Sequence, residues 1–142
     1  MSEIKLWFSP GACSLAPHIL LREIEAPFEA VKTSIPDGAH LTEEFTQLNP
    51  KNRVPVLLLD GEVITELPAI ATAISNLAPK RSLMGRTDLD MVRVYEWMNW
   101  LSGTVHGQGF GGCGVRNVSP AIQRRSTPLG KRPAGPSRIR SA

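Results

Sequence analysis

Cys13 stands in the stretch SPGACSLAPH, residues 9–18, directly behind Pro10-Gly11 and directly ahead of an apolar run. EIKLWF before it reads as a strand and SLAPHILLREI after it as a helix, so the cysteine falls at a helix N-terminus. Such a terminus carries unpaired N–H groups and about half a positive charge. Both favour an anion, and a thiolate is one; thiols so placed titrate below the roughly 8.5 of free cysteine. The chemistry this predicts is that of a sulfur anion, poised for thiol exchange or nucleophilic attack. The plainer role is a small buried filler, common for cysteine. Ser14 is a candidate donor to the same sulfur, or simply the helix cap.

Other residues attract notice by position. Val54-Pro55 opens an apolar run; read alone, it is a trans proline at the start of an edge strand. Lys51 and Arg53 flank it as charges that need no partner but water. Glu66 lies between a strand and a helix start, where an acid is favoured without any ligand. His106 stands near the end of the longest helical candidate, as a surface or satisfied core residue. His18 and His40 read as structural, and Trp97 and Trp100, at helical spacing, as packing residues.

The elements that must position these groups follow from periodicity. Residues 3–8 read as a strand and 14–25 as a helix, with Leu15, Ile19, Leu20 and Ile24 near one face. Pro17 is tolerated only in a first turn, which sets the helix start at Cys13 or Ser14. FEAVKTS, 28–34, alternates as a second strand, completing a βαβ unit with parallel strands. A polar loop, 35–53, contains a short helix near Thr42 to Leu48. Asp60-Gly61 between two apolar runs predicts a tight hairpin. A helix is predicted over 67–78, a linker over 79–85, and a long helix over 88–107, with Met91, Val94, Met98, Leu101 and Val105 at spacings of three and four.

The 142 residues suffice for one domain of ordinary size. No 18-residue apolar run and no secretory leader are recognised. Cys13 and Cys113 lie too far apart to read as a disulfide framework, so a reducing cytoplasm is expected. The net charge of +3 hides an asymmetry: residues 1–112 carry nine Lys/Arg and thirteen Asp/Glu, a formal −4, while residues 113–142 carry seven Lys/Arg and no acid, +7. The body of the chain, mildly acidic, therefore gives no reason to expect a nucleic-acid surface. The last thirty residues, with four prolines, three glycines and no period, are expected to be disordered.

The order β-α-β-α-β-β-α, linker, long helix resembles the N-terminal half of the cytosolic glutathione transferases, most like the bacterial beta type. SPGACSLAPHILLRE resembles that group's cysteine-bearing first turn, and NPKNRVPVLL its loop ending in Val-Pro. TELPAI resembles its glutamate-led third helix, and WMNWLSGTVHGQGF the first helix of its C-terminal domain. The resemblance covers residues 1 to about 112. It implies an α/β fold: a thioredoxin-like glutathione-binding domain (1–79) with a mixed four-stranded sheet, a linker (80–86), the start of an all-α domain (87–112) and a basic tail (113–142). It further implies glutathione as co-substrate, no metal, a small electrophile, a homodimer in the family, and a detoxifying transferase activity.

Site roles implied by the resemblance are specific. Cys13 lies beside the glutathione sulfur and can form a mixed disulfide with it, with Ser14 in support. The Val54-Pro55 bond is cis and turns the N–H and C=O of Val54 toward the cysteinyl backbone of glutathione, as an added strand would. Glu66 meets the α-amino group of the γ-glutamyl moiety, and the helix start at Leu67 receives its carboxylate. Lys51 and Arg53 meet the glycyl carboxylate. His106 faces the site and hydrogen-bonds or polarises the thiol. Two departures stand out. Leu67 replaces the serine common after the glutamate, and Gly107 replaces the lysine usual after the histidine. After GQGFGGCGV the family pattern stops, as after a reading-frame change or an early stop. One consequence expected is a long helix with part of its apolar stripe exposed. The alternatives to an enzyme are a non-catalytic module that binds glutathione or a partner, and a basic tail that gives salt-sensitive, non-specific binding to acidic surfaces such as nucleic acid.

Overall fold

The computed structural model describes residues 2–110. The expected disorder of residues 113–142 lies outside the described residues. Four strands form one mixed sheet: β1 (Ile4–Phe8), β2 (Glu29–Lys32), β3 (Val56–Leu59) and β4 (Glu62–Thr65), in the order β2-β1-β3-β4. β1 runs parallel to β2 and antiparallel to β3, and β3 is antiparallel to β4. With helices α1 (Leu15–Glu23), α2 (Glu43–Leu48) and α3 (Leu67–Leu77), this is the thioredoxin-like βαβαββα arrangement.

The period-two alternation of β1 and β3 divides the core between the two sheet faces. Leu6 pairs with Leu57, and both join Ile4, Leu21, Ile70 and Ile74 in a cluster beneath α1 and α3. Trp7 pairs with Val56, and these face the second cluster, with Phe45 of α2 and Val54. The Asp60-Gly61 turn has positive φ at both residues, 51° and 88°, as its composition predicts. Asp60 also accepts the Glu3 N–H at 2.8 Å, tying the hairpin to the start of β1.

α1 buries only part of the predicted stripe. Pro17 and Leu21 are buried and Leu20 and Ile24 pack beside them, whereas Leu15 and Ile19 are exposed. Both sets are apolar, so periodicity alone could not choose between them. The long helix also differs. Thr87 and Asp90 form a capping box for α4 (Asp88–Asn99), after which the chain continues as a wider π-helical segment, Trp100–Phe110. Gly103 and Gly107 are poor α-formers, and this stretch carries both. Tyr95 Oη hydrogen-bonds Thr72 Oγ1 at 2.5 Å, joining α4 to α3. Trp97 and Trp100 do not pack into a core; they lie edge to face with each other, 5.5 Å apart, and both are exposed.

Candidate functional site

The loop from β1 to α1 is held by two serines. Ser14 Oγ donates to the Ser9 carbonyl at 3.1 Å and accepts the Ser9 N–H at 3.0 Å; Ser9 Oγ in turn accepts the Ile35 N–H at 3.2 Å. Both serines are buried. Ser14 occupies the N-cap position, yet its hydroxyl does not cap the helix. Nor is that hydroxyl directed at the Cys13 sulfur: it closes the turn that carries the cysteine. Sequence does not single out Ser9, because nothing in a serine at that position signals a partner five residues ahead.

Cys13 is half-buried, and its Sγ donates to the Val54 carbonyl at 3.6 Å. Burial pushes the thiol above its ordinary pKa, and the Glu66 carboxylate adds to the rise. The N–H groups of Cys13 and Ser14 and the Arg53 guanidinium act the other way without reversing it. This corrects the expectation of a lowered thiol. The partial charge of a helix end is spread over N–H groups facing water, and the loss of hydration around sulfur outweighs it.

The Val54–Pro55 peptide is cis. Val54 is buried, and its carbonyl is the acceptor for Cys13. The loop before it is braced by Asn49, which is 2% exposed. Asn49 Nδ2 donates to the Arg53 carbonyl at 2.8 Å, and its Oδ1 accepts the Lys51 N–H at 3.2 Å. Asn49 is a second residue that sequence reading passed over; its place ahead of Pro50 in a turn-rich stretch was the available signal.

Glu66 is the N-cap residue of α3, with φ 73° and ψ 129°, a conformation non-glycine residues rarely adopt. Its carbonyl accepts the Ile70 N–H at 3.0 Å, while its carboxylate makes no cap bond. Instead it pairs with Lys51 Nζ at 2.6 Å. Lys51 thus points along the Val-Pro loop toward α3. Leu67, the first helical residue, carries one of the N–H groups a helix leaves unpaired, and Pro68 has none to offer. His106 lies on the exposed π segment; among the described residues no hydrogen bond or ion pair joins it to Cys13, Val54 or Glu66.

The fold therefore brings Cys13, Arg53, Val54, Lys51 and Glu66 to one end of the sheet, where the β1–α1 turn, the Val-Pro loop and the α3 N-terminus meet. The arrangement offers a thiol, the backbone of the cis Val-Pro bend ahead of β3, two loop cations, a carboxylate and helix N–H groups. Those are complements to an extended peptide that carries both charges. Among the described residues, no group of three or more His, Cys, Asp or Glu could hold a metal. No helix there is long and apolar enough to cross a membrane. A groove of about 560 Å³ between α2 and strands β1 and β2, lined by Trp7, Lys32, Phe45 and Leu48 among others, contains none of these groups.

Residues 11–77 match the family model for the glutathione S-transferase N-terminal domain. The chain is 36% identical to the glutathione S-transferase GstA of Escherichia coli O157:H7, over 75% of this chain and 54% of that protein. It is 38% identical to a sphingomonad glutathione S-transferase solved in complex with glutathione, with a TM-score of 0.70, covering 84% of this chain and 61% of that one. The bacterial beta class glutathione S-transferase of Sphingomonas chungbukensis is similar at 38% identity and a TM-score of 0.71, with the same coverage, 84% and 61%. The chain spans about half the length of the curated relatives it matches. The cysteine-bearing turn, the cis Val-Pro loop and the glutamate at the head of α3 thus sit on a matching fold and a matching sequence, and the chain belongs to the glutathione S-transferase superfamily through its N-terminal domain.

Proposed function

We propose that residues 1–79 bind glutathione and that the chain uses the bound thiol for attack on an electrophilic carbon or a disulfide. The observation that carries this reading is the convergence of the Cys13 thiol on the Val54 carbonyl, beside the cis Val54–Pro55 bond and within the field of Glu66. In this reading the cysteinyl backbone of glutathione pairs with Val54 as an added strand. Its γ-glutamyl carboxylate meets the open N–H groups at the start of α3, from Leu67 onward, and its α-ammonium meets Glu66. The glycyl carboxylate falls to Arg53.

Cys13 then acts as a donor rather than as the primary nucleophile. A neutral thiol can hydrogen-bond a glutathione thiolate and stabilise it; a second thiolate in its place would repel it. In substitution, the glutathione proton goes to water, the sulfur lone pair forms the C–S bond, and the leaving group departs with its bonding electrons. In exchange, the thiolate attacks one sulfur of a disulfide and releases the other as thiolate. His106 keeps a supporting role in this proposal, as a donor from the segment that follows α4. The reading carries a cytoplasmic location and a small electrophile as second substrate.

A second reading is favoured by the exposed apolar face of α4: a module that binds glutathione without useful turnover. Affinity chromatography on immobilised glutathione, followed by conjugation of a generic chloroaromatic, separates the two. Retention with turnover supports the enzyme, retention without turnover the module, and no retention refutes both. The thiol provides an independent check. Alkylation of Cys13 is expected to reach half its maximal rate at a pH above that of a free cysteine, and bound glutathione is expected to slow it. An unprotected, ordinary thiol would remove the basis of the proposal.

A further inference from the structure

The carboxylate that this reading assigns to a ligand is already engaged. Lys51 Nζ lies 2.6 Å from Glu66 Oε1 and 2.6 Å from Thr65 Oγ1. The pairing is anchored at both ends. Asn49 accepts the Lys51 backbone N–H and so fixes where its side chain leaves the loop. Glu66 is held in its unusual backbone conformation, with its carbonyl committed to the first bond of α3. A primary ammonium with three donors therefore occupies the Glu66 end of the site.

We propose that Lys51 is an internal stand-in for the primary ammonium of the ligand, a resident cation that an incoming ligand displaces, which makes this loop lysine a determinant of which ligands the Glu66 end accepts. The inference rests on the glutathione reading above. Lys51 and Glu66 keep 48% and 63% of their side-chain surface exposed. Water competes for such a pair and it contributes little to stability, so it opens without cost to the fold. Two ammonium groups at one carboxylate repel each other, so the ligand's ammonium and that of Lys51 exclude one another. A ligand ammonium fixed by contacts elsewhere on the same molecule has the advantage over a lysine held through a flexible four-carbon stem. A ligand that lacks the ammonium leaves the pair intact and gains nothing from Glu66.

The test is calorimetric titration of the wild-type chain and Lys51→Met with two tripeptides: glutathione, and glutaryl-cysteinyl-glycine, which differs only in lacking the amino group. Lys51 is exposed, and circular dichroism checks that the variant folds. Lys51→Met is expected to tighten glutathione about two- to fivefold, the range of an exposed ion pair, and to change the deaminated tripeptide by less than about twofold. Weakening of both ligands would overturn the proposal in favour of a lysine that holds a ligand carboxylate. No change in either would overturn it in favour of a solvated bystander. A second readout needs no ligand. The nitrogen-15 spectrum of lysine ammonium groups should contain a signal that is absent in Lys51→Met and that moves both in Glu66→Gln and when glutathione is added. A Lys51 signal unmoved by Glu66→Gln overturns the proposal by itself. Failure of the glutathione reading looks different: the signal moves in Glu66→Gln, neither protein binds either tripeptide, and the proposal falls with the reading it rests on.

Discussion

Helices α3 and α4 are nearly the same length, 11 and 12 residues, yet α3 buries Ile70, Ala71, Ile74 and Ser75, while α4 has no buried residue. α3 lies between the sheet and its neighbours and joins the core cluster through Ile70 and Ile74. α4 touches α3 through Tyr95 and Thr72 and leaves Leu89, Met91, Val92 and Trp97 exposed. Its stability comes from local devices: the Thr87–Asp90 capping box and the Arg93–Glu96 pair. The difference teaches where each part of the site draws its rigidity. Glu66 and Leu67 head a helix locked by burial, whereas His106 follows a helix held by its own caps.

That contrast can be broken or sharpened by substitution. The largest effect is expected for Ile74→Ala, which removes a fully buried side chain and should cost about 2–5 kcal/mol in denaturant unfolding. A loss below about 1 kcal/mol would mean that α3 is not the buried helix described. Next is Gly85→Ala. Gly85 has φ 93°, and an added Cβ there would collide with Asp90 Cβ, inside the capping box. The cost should be about 1–2 kcal/mol, read as faster amide exchange in α4 with α3 unchanged. Tyr95→Phe deletes the hydroxyl bonded to Thr72 and should cost about 0.5–1.5 kcal/mol, again visible mainly in α4 exchange. Equal exchange changes in both helices would show that they unfold as one unit.

Acid should act on the same end of α4. Backbone N–H groups of Arg86 and Thr87 hold the Asp90 carboxyl below its usual value. A depressed folded pKa means the contribution is complete above the ordinary Asp value of about 3.9 and is lost as pH falls through the folded value. Fraying of α4 before α3 in that window, followed by amide exchange or helix-specific NMR shifts, is the expected outcome; simultaneous loss would contradict it. The smallest stability effect belongs to Trp97→Lys. Trp97 is 59% exposed, so the change should stay within about 0.5 kcal/mol. It should nonetheless reduce self-association in sedimentation, because it interrupts an exposed apolar face.

Local signals carried the order of elements. Alternation in IKLWF, Asp60-Gly61 between apolar runs, Pro17 near a helix start and Thr42 before EEFTQL each act within a few residues, so each was legible. The choice of buried stripe on α1 was not, because Leu15 and Ile19 are as apolar as Leu20 and Leu21, and only the position of α3 decides which pair is covered. Trp97 and Trp100 failed as packing residues for the same reason: spacing places residues on a face but does not supply what covers it. In the candidate site, the residue types were readable and the partners were not. Ser14 turns to Ser9, Lys51 turns to Glu66, and Asn49 braces the loop that carries Lys51 and Arg53.

By itself, the amino-acid order determined a thioredoxin-like succession of strands and helices and put Cys13, Val54-Pro55 and Glu66 at the ends of those elements, since turns and periodicity are matters of adjacent residues. Tertiary structure alone decided the chemistry of the sulfur. Its pKa direction depends on how much water surrounds it and on a carboxylate 53 positions away, and both are set only when the chain has folded those loops together.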